Sequence, residues 1–123
     1  MSLILIVEDN EKNMKLVRDV LQAKGYATIE AITGEDGIRL AAEDKPDLIL
    51  MDIQLPGING IEALRVLRAN PETAAIPAVA VTASVMQQDR KHITEAGFEG
   101  YLGKPLNLKE FLETVRAMLE KST

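Results

Sequence analysis

The stretch LILMD at residues 48–52, followed by IQLPG at residues 53–57, carries four apolar residues straight into a carboxylate. A continuous apolar run of this length, closed by a Pro-Gly turn, predicts a strand buried on both faces, as in parallel sheets. Asp52 would then lie at the carboxyl end of that strand. In open α/β sheets ligands bind at this edge, because the loops there present polar groups beyond the buried strands. Asp52 is therefore our first candidate functional residue.

Length and composition favour one globular domain. A chain of 123 residues is long enough to bury a real core, so we expect residues 1–123 to form a single domain. The absence of cysteine excludes disulfides and thiolate zinc sites, and it fits a reducing compartment. The apolar run at residues 3–7 is too short for a signal peptide, and no run reaches the roughly 20 residues of a membrane helix. We expect a cytoplasmic protein that does not bind a membrane.

The charge balance limits the partners. The net charge is −5, and the longest basic run is the pair Arg90-Lys91, so direct nucleic-acid binding is not expected. With no tryptophan, two tyrosines and two phenylalanines, the chain also has no aromatic platform for single strands. The expected partners are proteins or small anions.

Apolar runs and helical periodicities alternate along the chain. Strands are predicted over residues 3–7, 26–32, 48–51, 77–81 and 100–102. Helices are predicted from the caps Asn10, Thr33 (with Asp36 in an approximate capping box) and Asn107, from about Ile61 to Asn70, and over 86–96. Five strands alternating with five helices are typical of an α/β fold, a doubly wound parallel sheet with helices on both faces.

Polar residues follow four of the predicted strands. Glu8 and Asp9 follow the first strand, Asp52 the third, Thr82 the fourth and Lys104 the fifth. In a parallel sheet they meet at one edge, where each pair of carboxylates would repel by about 4 kcal/mol at 4 Å and an effective dielectric near 20. A divalent cation bound by oxygens would compensate, and Mg²⁺ suits such a site. Lys104 would add a further positive charge.

This arrangement suits phosphoryl transfer. A carboxylate such as Asp52 can act as a nucleophile toward phosphorus and form an aspartyl-phosphate. In such reactions the protein mainly positions groups and neutralises charge on the phosphoryl oxygens. The metal and Lys104 would bind two of these oxygens, and the Thr82 hydroxyl with a backbone N–H would bind the third.

The order Glu8-Asp9, Asp52, Thr82-Ala83, Lys104-Pro105 resembles the receiver domain of two-component response regulators, and the resemblance covers essentially the whole chain. Each motif is weak alone, since acidic pairs and single lysines are usually solvated surface residues. Their joint occurrence, in order and each at a strand end, is highly specific. The resemblance implies the flavodoxin-like, CheY-like version of the fold, with strand order 2-1-3-4-5.

The resemblance also implies the role of each site residue. Asp52 would accept a phosphoryl group from the phosphohistidine of a sensor kinase or phosphotransfer protein. Glu8, Asp9 and Asp52 would bind Mg²⁺ directly or through water, together with the main-chain carbonyl of Gln54. Lys104 would contact the phosphoryl group. The chain would assist its own phosphorylation and dephosphorylation without being a turnover enzyme.

Further residues are assigned by the same resemblance. Thr82 and Tyr101 would form the switch, with Thr82 drawn toward the phosphate and the Tyr101 ring turning inward. The Lys104-Pro105 peptide bond would be cis, and Gln54 and Ser84 occupy positions that tune the lifetime of the phosphorylated state. The face formed by the fourth helix, the fifth strand and the last helix would bind a downstream protein target.

Several other functions compete with this one. A small aspartyl-phosphate phosphatase of the haloacid-dehalogenase type would need a second Asp two residues after the nucleophile, where this chain has Gln54. A flavodoxin-like electron carrier would need a hydroxyl-rich phosphate loop where Glu8-Asp9 would repel the phosphate of FMN. A degenerate receiver acting as a scaffold is disfavoured by the intact site. A receiver cut from a hybrid histidine kinase remains open.

Overall fold

The computed structural model describes residues 2–83, 87–104 and 106–121, in which five strands and five helices alternate. The strands are β1 (Leu3–Val7), β2 (Ala27–Ala31), β3 (Leu48–Asp52), β4 (Ala78–Thr82) and β5 (Gly100–Gly103). The helices are α1 (Glu11–Ala23), α2 (Gly34–Asp44), α3 (Gly60–Ala69), α4 (Gln87–Ala96) and α5 (Leu108–Lys121). The predicted order of elements is confirmed, with end points that differ by one or two residues.

All five strands are parallel, in the order β2-β1-β3-β4-β5. The predicted fold class and strand order are therefore confirmed. The register pairs Val7 with Met51, Asp52 with Val81 and Thr82 with Gly103. The carboxyl ends of β1, β3, β4 and β5 thus lie side by side along one edge of the sheet.

The core consists of two apolar layers, one on each face of the sheet. Successive residues of β3 alternate between them: Leu48 and Leu50 pack with α1 and α5, whereas Ile49 and Met51 pack with α2, α3 and α4. Every residue of β3 is buried. This explains why the strand is continuously apolar rather than alternating, since side chains on both faces are covered by helices.

Side-chain caps begin the helices where the sequence predicted them. The Asn10 side chain accepts hydrogen bonds from the backbone N–H of Lys12 and Asn13, and Asn107 accepts one from Glu110. Thr33 caps α2 through the backbone of Asp36. The reciprocal half of the predicted capping box differs, because the Asp36 carboxylate lies 3.6 Å from Arg39 instead. In the described part of the chain, no helix is long and apolar enough to cross a membrane.

An arginine at the end of α3 joins the loops at the opposite edge of the sheet. Arg68 donates hydrogen bonds to the carbonyls of Ile76 (2.6 Å) and Gly97 (3.2 Å) and forms an ion pair with Glu99. Glu99 in turn accepts the backbone N–H of Ala78 at 3.0 Å. These bonds position the starts of β4 and β5. Sequence patterns did not predict them, because the contacts of a single arginine side chain depend on how α3 packs beside the loops before β4 and β5.

The chain turns sharply after β3, and Gly60 makes this turn possible. Its N–H donates to the carbonyl of Ile53 at 2.9 Å, and a Cβ at this position would lie 2.4 Å from the carbonyl oxygen of Asp52. Both contacts are with backbone, which cannot rotate away as a side chain can. Gly60 therefore allows α3 to begin directly against the end of the strand that carries Asp52.

We predict that Gly60→Ala lowers the free energy of unfolding by roughly 2 kcal/mol or more, because the added methyl group overlaps the Asp52 carbonyl. Helix propensity alone predicts the opposite sign, since alanine is favoured over glycine by about 1 kcal/mol in helices. Urea denaturation decides between the two effects. Arg65→Ala, on the exposed side of the same helix, is the control and should change stability little. A stabilised Gly60→Ala protein would contradict the predicted overlap.

Candidate functional site

Four predicted site residues lie together at the carboxyl edge of the sheet. Glu8 directly follows β1, Asp52 and Thr82 end β3 and β4, and Lys104 directly follows β5. Glu8 and Asp52 are each 5% exposed and Thr82 is 1% exposed, although all three are polar. Burial of carboxylates is costly unless they are paired and hydrogen-bonded. Their surroundings must therefore supply positive charge and donors.

Lys104 supplies the charge by bridging the two buried acids. Its Nζ donates hydrogen bonds to Asp52 Oδ2 at 2.9 Å and to Glu8 Oε1 and Oε2 at 3.0 and 3.2 Å. These residues come from three strand ends, 96 and 52 positions apart from Lys104 in sequence. The sequence-based expectation that they converge is confirmed by these distances.

At this bridge one ammonium group faces two buried carboxyl groups. The pKa of Glu8 is raised to about 7, chiefly because burial disfavours its charged form and also because Asp52 lies beside it. Hydrogen bonds from Asn13 and Lys104 act in the opposite direction. Burial also lowers the pKa of Lys104, but its hydrogen bonds to Asp52 and Glu8 outweigh this and raise the pKa above its ordinary value. One ammonium thus does not fully compensate two buried carboxylates.

Two further donors hold the carboxylates in place. The backbone N–H of Gln54 donates to Asp52 Oδ1 at 3.0 Å, and the side-chain amide of Asn13 donates to Glu8 Oε1 at 2.9 Å. Asn13 was not among the predicted site residues. The sequence did carry a signal for it. Asn13 lies in the first turn of the helix that directly follows Glu8-Asp9, and this position directs its side-chain amide back toward Glu8.

The acidic residues can hold a metal ion. Glu8, Asp9 and Asp52 each offer an oxygen, and these oxygens lie within 4.8 Å of one another. Asp9 is exposed, so the cluster opens to solvent on that side. Hard oxygen ligands, with room for water, fit Mg²⁺ better than softer metals. The raised pKa of Glu8 is a second sign that the cluster favours additional positive charge.

Of the other predicted residues, the two switch residues Thr82 and Tyr101 can be located in the structure. Thr82 is buried at the end of β4, and Tyr101 lies half-buried in β5, where it is paired with Ala80 and packs against the layer formed with α2, α3 and α4. The two therefore occupy neighbouring strands. The predicted cis bond at Lys104-Pro105 and the position of Ser84 lie outside the described residues, and the main-chain carbonyl of Gln54 remains a prediction as a metal ligand.

Comparison with known proteins identifies the class. Residues 4–116 match the response regulator receiver domain, and the chain belongs to this family. In sequence it is similar to the polar-differentiation response regulator DivK of Brucella anthropi, with 47% identity over 116 residues that cover 94% of each protein. DivK of Brucella ovis is equally similar, with 47% identity over 116 residues. The family predicted from the sequence is thus confirmed.

Solved structures agree with this assignment. A response regulator from Chloroflexus aurantiacus aligns with a TM-score of 0.93 at 29% identity, over 97% of this chain and 98% of that one. The receiver domain of a Pseudomonas aeruginosa sensor histidine kinase aligns with a TM-score of 0.90 at 33% identity, again over 97% and 98% of the two chains. That domain was solved with a magnesium ion coordinated in its active-site cleft.

The raised pKa of Glu8 predicts how stability depends on pH. In the unfolded chain Glu8 titrates near 4.5, and in the folded chain near 7. Folding therefore favours the protonated form of Glu8, and the protein is more stable while this side chain is protonated. This contribution to the free energy of unfolding is complete below pH 4.5 and is lost as the pH rises through 7. In EDTA, the free energy of unfolding of wild type should fall by roughly 2–4 kcal/mol relative to that of Glu8→Gln between pH 4.5 and pH 8. Urea denaturation at the two pH values measures this difference.

Glu72→Gln removes an exposed carboxylate and is the matched control, which should keep the pH dependence of wild type. The same comparison in Mg²⁺ should show a smaller loss for wild type, because a bound cation favours the charged form of Glu8. Identical pH dependence of wild type and Glu8→Gln would contradict the proposed burial cost.

Proposed function

We propose that this chain is a phosphorylation-dependent signalling switch in which Asp52 accepts a phosphoryl group from the phosphohistidine of a sensor kinase or phosphotransfer protein. The observation that carries the proposal is the Lys104 bridge, which holds the buried Asp52 carboxylate beside a cluster of acidic oxygens. The family assignment and the similarity to DivK support the same conclusion. By this proposal the chain is a phosphoacceptor rather than a turnover enzyme.

The geometry orients Asp52 for attack. Gln54 N–H binds Oδ1 and Lys104 Nζ binds Oδ2, so the carboxylate is fixed at both oxygens. One of these oxygens forms a bond to phosphorus while the bond from phosphorus to the histidine nitrogen breaks, and the electron pair stays on the imidazole. Lys104 then neutralises charge on the transferred group. The product is an aspartyl-phosphate.

The acidic cluster would hold the divalent cation. Glu8, Asp9 and Asp52 are the side-chain candidates, and the main-chain carbonyl of Gln54 is the fourth. When bound, Mg²⁺ supplies positive charge that offsets both the carboxylates and the phosphoryl oxygens. The chain's own contribution is to keep these oxygens close together at a solvent-open edge.

The signal would pass from Asp52 through two neighbouring strands. The aspartyl-phosphate would carry close to two negative charges and three strong acceptor oxygens where the carboxylate carried one charge, which gives the buried Thr82 hydroxyl a new partner. A shift of Thr82 would change the space around the half-buried Tyr101. The face formed by α4, β5 and α5 would then change its affinity for a downstream protein.

We place this switch in the cytoplasm, acting through contacts with other proteins and without direct binding to nucleic acid or membrane. By this proposal the switch acts on its targets in trans, and the similarity to the polar-differentiation response regulator DivK supports a role in signalling. A receiver domain that belongs to a hybrid histidine kinase is the alternative, and the aligned Pseudomonas aeruginosa domain is one of that kind.

Phosphorylation can be tested directly by mass spectrometry. With acetyl phosphate and Mg²⁺ the protein should gain one labile phosphoryl group, and EDTA should suppress the gain. Asp52→Asn should abolish it, whereas Asp44→Asn, which makes the same change at an exposed position, should not. Lys104→Gln should slow the reaction roughly 100-fold, because it removes the positive charge that faces the developing charge on the phosphoryl oxygens. Equal labelling of Asp52→Asn, or steady hydrolysis of phosphate esters, would overturn the proposal.

The switch can be followed through the two tyrosines, Tyr26 and Tyr101. In protein labelled with fluorotyrosine, phosphorylation should shift the ¹⁹F resonance of Tyr101 and leave that of Tyr26, in the layer with α1 and α5, in place. In Thr82→Ala, phosphorylation should still occur, but the Tyr101 shift should shrink at least severalfold. A full Tyr101 shift in Thr82→Ala would show that Thr82 does not link the two sites.

A further inference from the structure

The side chain of Asn13 ties the first turn of α1 back to the end of β1. Its amide donates a hydrogen bond to Glu8 Oε1 at 2.9 Å, across the turn that contains Asp9. The backbone N–H of Asn13 donates to the side chain of Asn10, the helix cap, at 3.1 Å. These two bonds restrain the connection between β1 and α1, and this connection carries two of the three acidic residues of the cluster.

The packing of α1 gives Asn13 a fixed position from which to act. The helix buries Met14, Val17 and Leu21, and all three belong to the apolar layer that this helix shares with α5. Asn13 directly precedes the buried Met14, so its backbone cannot move without disturbing closely packed side chains. A donor carried by a packed helix is placed more precisely than one carried by a loop. The Asn13 amide is therefore a well-positioned partner for Glu8.

The other side-chain donor to Glu8 is Lys104, and Glu8 shares it with Asp52. Lys104 Nζ lies 3.0 and 3.2 Å from the two Glu8 oxygens and 2.9 Å from Asp52 Oδ2. In the proposed function Lys104 turns part of its charge to the phosphoryl group, which weakens its hold on Glu8. The Asn13 amide donates to Glu8 and is not shared in this way. It would keep the Glu8 carboxylate in place when Lys104 is engaged elsewhere.

The two donors also distinguish the two oxygens of Glu8. Oε1 accepts hydrogen bonds from both Asn13 and Lys104, whereas Oε2 accepts one from Lys104. Each carboxylate oxygen has room for about two partners. Oε1 is therefore fully occupied, and Oε2 retains acceptor capacity. Without Asn13, this difference between the two oxygens would be lost and the carboxylate could rotate.

We propose that Asn13 is a positioning residue for the divalent-cation site, because it holds the Glu8 carboxylate in the setting that leaves Oε2 available to the cation or to its bound water. This inference rests on the metal site of the proposed function. Groups that hydrogen-bond to metal-binding side chains typically contribute about 10–100-fold to metal affinity. Asn13 would act on the affinity for the cation and not on the transfer of the phosphoryl group, since its amide donates to Glu8 rather than to Asp52.

Isothermal titration calorimetry with MgCl₂ at pH 8.5 tests the proposal. Asn13→Leu keeps roughly the size of the side chain and removes the donor, so the Kd for Mg²⁺ should rise about tenfold or more. Leucine is the better helix former, so a weaker helix would not explain the loss. Asn13→Gln retains an amide and should recover part of the affinity. If Asn13→Leu does not fold, Asn13→Ala removes the same donor and should raise the Kd equally.

Gln22→Ala is the matched control. Gln22 is a second amide on α1, and it donates one hydrogen bond to Thr28 Oγ1 at 2.9 Å, at the opposite end of the helix from Glu8. Its loss should leave the Kd for Mg²⁺ unchanged. An equal rise of the Kd in Gln22→Ala would assign the effect to α1 as a whole and overturn the positioning role.

The Mg²⁺ dependence of labelling by acetyl phosphate separates positioning from general damage to the fold. In Asn13→Leu, the Mg²⁺ concentration for the half-maximal rate should rise at least tenfold, while the rate at saturating Mg²⁺ stays within about twofold of wild type. A damaged fold would instead lower the rate at every Mg²⁺ concentration, and that result would overturn the proposal.

Equal Mg²⁺ affinities of wild type and Asn13→Leu would overturn this inference alone, provided that wild type is labelled in Mg²⁺ and Asp52→Asn is not. A wild-type protein that binds no Mg²⁺ would overturn both this inference and the metal site of the proposed function. The two failures can therefore be told apart.

Discussion

The contact on which the rest of the site depends is the bridge from Lys104 to the buried carboxylates of Asp52 and Glu8. Two acids this close together and this deeply buried are unstable unless a cation lies between them. Lys104 meets that need only in part, as the raised pKa of Glu8 shows. The remaining negative charge favours a metal ion at this edge of the sheet, and in our proposal that ion, together with Lys104, offsets the charge of the incoming phosphoryl group.

The topology of the sheet holds that bridge in place. The parallel order β2-β1-β3-β4-β5 puts the ends of β1, β3, β4 and β5 next to one another, so residues distant in sequence become neighbours. Gly60 lets α3 start against the Asp52 backbone, and Asn13 fixes the Glu8 carboxylate from α1. At the opposite edge, the pairing of Arg68 with Glu99 positions the starts of β4 and β5. The backbone around the site is thus fixed at both ends.

A cavity beside the bridge follows from the same layout. Helices α1 and α5 both cover one face of the sheet, and apolar side chains from β1, β3 and β4 form the wall beneath them. Glu8, Asp52 and Lys104 line this cavity together with the apolar side chains, so the cavity adjoins the acidic site directly.

The sequence by itself determined the alternation of strands and helices, the caps at Asn10, Thr33 and Asn107, and the family, because apolar periodicity and motif order are local properties. It also predicted the candidate site residues Glu8, Asp9, Asp52, Thr82 and Lys104, since the carboxyl ends of parallel strands lie at one edge of the sheet. Only the tertiary structure decided that Lys104 contacts both Glu8 and Asp52 and that Asn13 donates a hydrogen bond to Glu8. It also decided that Arg68 binds the loops before β4 and β5, and that a cavity remains between α1 and α5. These features depend on distances between side chains from separate elements, and such distances are set by packing of the whole core.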